Sequence, residues 1–82
     1  MKDNLIGHVI HYFGNISVAV IKLDGKLSVG DSIKIEGATT NSDQTVRSIQ
    51  IDKKDLESAD KGDEVGIKVV DKVRVGDKVY KI

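Results

Sequence analysis

The chain of 82 residues has no cysteine, no proline and no tryptophan, and its only aromatic residues are two Tyr and one Phe. Without Cys, neither a disulfide nor a thiolate metal site can support the fold. Without Pro, strand edges must be guarded by Lys, Asp or closure of the sheet itself. With aromatics at 4%, the core has to be assembled from Val, Ile and Leu. No apolar run approaches the ~20 residues that span a bilayer, and Met1-Lys2-Asp3-Asn4 lacks the apolar core of a secretory signal. A cytoplasmic location with no membrane partner is expected. Charge of one sign is also missing, because 13 basic residues meet 13 acidic ones. A neutral chain is no electrostatic trap for nucleic acid, and Arg, the better bidentate phosphate ligand, stands only at 47 and 74.

What the chain has instead is one corner signal used three times. Gly30-Asp31-Ser32-Ile33, Gly62-Asp63-Glu64-Val65 and Gly76-Asp77-Lys78-Val79 each place a branched apolar residue two positions after the Asp. Gly supplies the positive φ of a tight corner, Asp can tie its carboxylate to nearby amides, and Val or Ile opens a strand. The length fits a single domain, residues 1–82, with little room beyond one small core.

Six strands are predicted. They cover Leu5 to Tyr12, Ile16 to Leu23, Ser32 to Glu36, Thr45 to Ile51, the Val65-Ile67-Val69 segment and Lys78 to Ile82. The second is apolar on both faces, which suits a strand that is sandwiched or bent by a bulge. In the fourth, Val46, Ile49 and Ile51 slip phase, which suggests a bulge or twist. Gly37 to Asp43 is predicted as a loop, and Lys53 to Asp60 as loop or 3₁₀ turn. Short strands, regular turns and almost no helix predict an all-β fold, a single six-stranded antiparallel β-barrel.

The succession Leu27-Ser28-Val29-Gly30-Asp31-Ser32-Ile33, Val46-Arg47-Ser48-Ile49, Ala59 to Ile67 and Arg74-Val75-Gly76-Asp77 resembles domain 2 of the translational GTPases, the β-barrel of elongation factor Tu and initiation factor 2. It looks most similar to stand-alone elongation factor-like proteins. The same barrel type occurs in some collagenase-like peptidases and in an H/ACA ribonucleoprotein component. The resemblance implies an accessory RNA- or ribonucleoprotein-binding module, with tRNA, ribosomal RNA or a translation-related protein as partner. In elongation factor Tu the segment matching Ile49-Gln50-Ile51 lies by the terminal adenosine of aminoacyl-tRNA, with Glu where this chain has Gln50. No G-x-x-x-x-G-K-[ST] phosphate loop is present, so no nucleotide is expected.

The candidate contact residues are Tyr12 and Phe13, which sit in the sole aromatic cluster, and Arg47, Gln50, Lys53 and Lys54 around the adenosine-site match. Tyr12 and Phe13 either cap one barrel end or stack on RNA or a protein partner. Arg47, Lys53 and Lys54 either contact phosphate or form an ion-paired solvated face with Asp52 and Asp55. His8 and His11 stand three apart in a strand and should point to opposite faces unless a bulge intervenes, so no metal site is expected. No Ser or carboxylate sits in a catalytic motif, so neither enzyme activity nor a cofactor is expected, and the chain should be a monomer. The alternative to RNA binding is docking on a separately encoded enzyme or GTPase. An apolar patch with interspersed charge would mark it, and a continuous positive stripe would mark RNA.

Overall fold

Three corners fold alike and set the rest of the chain. The structure is a computed structural model that describes residues 4–38, 40–51 and 54–82. In each corner the Gly takes a positive φ, at 97° for Gly30, 93° for Gly62 and 95° for Gly76. Each closes with a backbone bond of 3.1 Å, from Asp31 N to Ser28 O, Asp63 N to Asp60 O and Asp77 N to Arg74 O. This is the hydrogen bond and glycine placement of a type II turn. The Asp carboxylate then reaches back across the turn. Ser28 N donates to Asp31 Oδ2 at 2.9 Å, Asp60 N to Asp63 Oδ2 at 3.0 Å and Arg74 N to Asp77 Oδ2 at 2.9 Å.

Each corner also clamps one residue elsewhere in the chain with two backbone bonds. Gly30 N donates to Val46 O and Val46 N to Asp31 O, both at 2.8 Å. Gly62 N donates to Leu23 O and Leu23 N to Asp63 O, both at 2.9 Å. Gly76 N donates to Val9 O and Val9 N to Asp77 O, both at 2.8 Å. Val46, Leu23 and Val9 are all buried, as are the flanking residues of each corner: Leu27 and Ile33, Ala59 and Val65, Val73 and Val79. The corners therefore aim apolar side chains inward on both sides while their polar backbone is satisfied internally.

Between the corners run ten short strands. They are β1 (Leu5–Phe13), β2 (Val18–Leu23), β3 (Leu27–Ser28), β4 (Ser32–Glu36), β5 (Asn41–Thr45), β6 (Ile49–Ile51), β7 (Lys54–Leu56), β8 (Ser58–Ala59), β9 (Glu64–Lys68) and β10 (Lys78–Lys81). Eight form one antiparallel sheet in the order β5-β4-β10-β1-β2-β9-β6-β7, and β3 pairs with β8 in a separate ribbon. The fold is all-β. The six-stranded barrel differs from what is seen, since the sheet has eight strands and its ladder ends at β5 and β7 without closing. Among the described residues no helix is long and apolar enough to cross a membrane.

Three local expectations also change. Asn41 to Asp43 belongs to β5 rather than to a loop, paired through Glu36↔Asn41 and Lys34↔Asp43. Its inward positions are polar, so no apolar alternation announces it. The span of Lys53 to Asp60 includes β7 and β8, held by Ile49↔Leu56 and Leu27↔Ala59; Lys53 itself lies outside the described residues. The fourth strand is divided, because Val46 is clamped to the first corner while Ile49 pairs with Ile67. That change of partner is the physical cause of its phase slip.

The core consists of Ile, Val, Leu and Ala, with Tyr12 and Ile51 packed against it. Asp77 is the buried carboxylate of the third corner, and an added Cβ at Gly37 would run into its Oδ1. Only glycine tolerates that approach. Gly62→Ala and Gly76→Ala should each cost more than about 1 kcal/mol, since Ala resists φ above zero. Asp77→Ala should cost about 2 kcal/mol by stranding the Arg74 amide in a part-buried site, and more than Asp63→Ala, whose site is exposed. Urea unfolding of the four variants checks the size of the glycine effect and the order of the two Asp variants.

Candidate functional site

The outer face of the sheet is built by cross-strand rows whose members follow from the register. One row runs His11↔Val20, Val20↔Gly66, Gly66↔Gln50 and Gln50↔Asp55, across β1, β2, β9, β6 and β7. The next runs Phe13↔Val18 and Val18↔Lys68. The alternate residues Ala19, Ile21, Ile49 and Ile67 are buried, so these rows point away from the core. Beyond β9, Val69 N donates to Ser17 O, which carries the contact with the β1–β2 turn one residue past the ladder.

The face is apolar at one end and polar at the other. Phe13 is 48% exposed, Ile16 53% and Val70 70%, with Val18 and Val20 half-buried beside them. The rings of His11 and Phe13 lie 6.3 Å apart, tilted by 30°. At the other end Gln50 Nε2 donates to Asp55 Oδ1 at 2.8 Å. Gly66 separates the two ends. It has no side chain, and a Cβ there would approach Val18 Cγ1 to 3.3 Å, so Val18 lies close over the glycine. This outer row explains why β2 is apolar on both faces.

The structure therefore splits the residues singled out from the sequence. Phe13 and Gln50 share the outer face. Tyr12 pairs with Ala19 on the inner side and packs on the core. Lys54 pairs with Ile51, out of phase with Gln50, so it points away from this face. Arg47 is exposed in the connection between β5 and β6. Sequence reasoning missed Ile16, Val18, Val20 and Val70 as surface residues: a strand apolar on both faces does not reveal which face is covered, and Val70 stands outside the alternation of Val65, Ile67 and Val69.

The two histidines also depart from expectation. A register shift between Val9 and His11 sets His8 opposite Lys22 and His11 opposite Val20. Both histidines consequently sit on the outer face, because the bulge adds the residue that strict alternation lacks. The acid near His8 is Asp24, with Nδ1 to Oδ2 at 3.9 Å. Among the described residues no group of three or more His, Cys, Asp or Glu could hold a metal ion.

No protein-family model matches the chain. Among curated proteins it is 46% identical over 76 residues to an uncharacterized protease of Methanocaldococcus jannaschii, covering 92% of this chain and 19% of that protein. It is 38% identical over 82 residues to a collagenase of Porphyromonas gingivalis, covering 98% of this chain and 23% of that protein. The chain thus spans about a fifth of the length of the curated relatives it matches. Among solved structures it is similar to the C-terminal domain of a Geobacillus thermoleovorans protein assigned to the U32 peptidases. That match has a TM-score of 0.91 and 19% identity, and covers 100% of this chain and 96% of that one. The selenomethionine form of the same domain gives a TM-score of 0.89 at 21% identity, over 94% and 98% of the two chains. At these identities the structures speak for the fold.

These matches overturn the translation-factor resemblance and the RNA-binding role inferred from it. The relatives carry protease names, and the solved neighbour is a peptidase domain. The difference has a physical cause: the Gly-Asp corners specify a folded turn, and a turn says nothing of what the surrounding sheet serves. The expectation of no enzymatic role finds no support either, since both relatives are named for proteolysis. The geometry separates the two adjacent aromatics by their energetics. Tyr12→Ala should cost about 2 kcal/mol through lost core packing, whereas Phe13→Ala should stay within about 0.5 kcal/mol of the unsubstituted chain. Thermal or urea unfolding of the pair measures it.

Proposed function

We propose that this chain is a domain of U32-peptidase type that docks on the peptidase unit of that family and helps to present its substrate. The observation that carries the reading is 46% identity to a protease over nearly the whole of this short chain. A full match to an isolated C-terminal peptidase domain, at TM-score 0.91, supports a separate folding unit of this shape. The finer description as a closed translation-factor-type barrel is not needed for this function. An open sheet with its outer face exposed serves it equally well.

The docking surface in this reading is the apolar end of the outer face, Phe13, Ile16 and Val18. Phe13 and Val18 pair across β1 and β2, Phe13 and Ile16 are exposed, and the charged residues near them are of mixed sign. Lys22 pairs with Glu64 at 3.7 Å along the same face, and Lys68 stands across β2 from Phe13. Such a surface favours a protein partner over a polyanion, because among the described residues of this face its charges are of mixed sign rather than a positive stripe.

A purified U32 peptidase catalytic unit, titrated with this chain in a calorimeter, tests the reading. Binding should change less than about threefold between low and high salt, as apolar contacts are little screened. Phe13→Asp should weaken it at least about tenfold, the equivalent of about 1.4 kcal/mol. No heat of binding, or unchanged affinity in Phe13→Asp, would exclude docking through this face.

A further inference from the structure

The register of β6 on β9 is Ile49↔Ile67 and Gln50↔Gly66. Continued by two residues, it would bring Arg47 and Ser48 alongside Lys68 and Val69. The chain does not continue so, because Val46 is clamped to Gly30 and Asp31. The ladder groups of the β9 extension that face this side, Lys68 O and Val70 N, are therefore left without a strand. Val69 N faces the other way and is satisfied by Ser17 O.

A side chain fills the vacated place. Gln44, on edge strand β5, donates from Nε2 to Lys68 O at 2.8 Å, and its Oε1 accepts from Val70 N at 3.1 Å. Lys68 O and Val70 N flank one residue, and they are the pair that a neighbouring strand takes in a ladder. The Gln44 carboxamide is an amide group presented by a side chain, so it supplies the donor and the acceptor that a peptide backbone would bring. One position along, Ser42 Oγ donates to Asp71 Oδ2 at 3.0 Å. Gln44 and Ser42 pair with Ile33 and Ile35, so they point inward at positions where a closed sheet would place apolar side chains. Polar residues stand there because they span a seam.

We propose that this seam is a strand-addition site for an extended peptide, with Gln44 as its removable stand-in. An incoming backbone displaces the Gln44 carboxamide and pairs with Lys68 O and Val70 N. The chemistry of the present occupant argues for a peptide, since the site already holds an amide in bidentate contact. The charge beside it agrees: the Asp71 carboxylate, which accepts from Ser42, lies at that end of the seam and favours a cationic residue in the bound segment. Backbone pairing gives such a site affinity with little sequence preference, as in other β-additions. The inference concerns the seam and not the Phe13 face, so it stands or falls separately from the docking reading.

The probe is a blocked peptide of alternating Thr and Val with a Lys at each end, titrated into the 82-residue chain and followed by backbone amide NMR. The Val70 amide should move most, together with the Gln44 side-chain amide signals as they are released. The same peptide N-methylated at alternate amides should lose binding at least about tenfold, because it cannot complete a ladder. Gln44→Ala should bind the unmodified peptide about fivefold tighter, as no hydrogen-bonded group has to be displaced. The comparison of methylated and unmodified peptide uses the unsubstituted chain, so it decides the matter even if Gln44→Ala fails to fold. A Val70 amide that stays in place at millimolar peptide, equal binding of the methylated peptide, or binding weakened by Gln44→Ala would each overturn the proposal.

Discussion

The structure depends on a reciprocal backbone clamp made three times by a glycine corner. In each, the corner Gly and Asp hold one buried residue, and the Asp carboxylate holds the start of the turn. A chain so poor in aromatics gains little from any single side chain, as burying one Val or Ile is worth about 2 kcal/mol. Precision has to come from the backbone. The corners provide it by tying Val9, Leu23 and Val46 to points far away in sequence, so that the alternating strands between them have a fixed phase.

The two surfaces proposed to bind partners lie where that regularity is interrupted. The clamp on Val46 draws the chain away from β9, and the break both shortens β6 and opens the seam that Gln44 spans. The bulge in β1 turns His11 and Phe13 to the outside next to Val18 and Val20. Gly66 removes a side chain from the middle of the same face. An apolar outer surface and an amide-filled seam result on a molecule whose total charge is zero.

Much of the fold was legible in the residues. The Gly-Asp corners folded as their chemistry dictates, down to the carboxylate tied to an amide, because those forces act within four residues. Strands rich in Val and Ile showed themselves by alternation. β5, β7 and β8 did not, since Asn41-Ser42-Asp43-Gln44-Thr45 and Lys54-Asp55-Leu56 carry no apolar alternation and become strands only by pairing. Of the candidate contact residues, Phe13 and Gln50 came together on one face, while Tyr12 turned inward and Lys54 to the other side. One bulge and one change of partner decided this, and neither has a local signature.

By itself, the sequence determined the corners, the aliphatic core, the all-β class and the want of net charge, because each rests on residue chemistry or short-range sterics. Tertiary structure alone decided which strand lies beside which, where the ladder stops, and which side of β2 is covered. Those outcomes depend on hydrogen bonds between residues tens of positions apart. Gln44 shows the difference most plainly: along the chain it is a polar residue among polar residues, and only the departure of Val46 gives its carboxamide a strand's work to do.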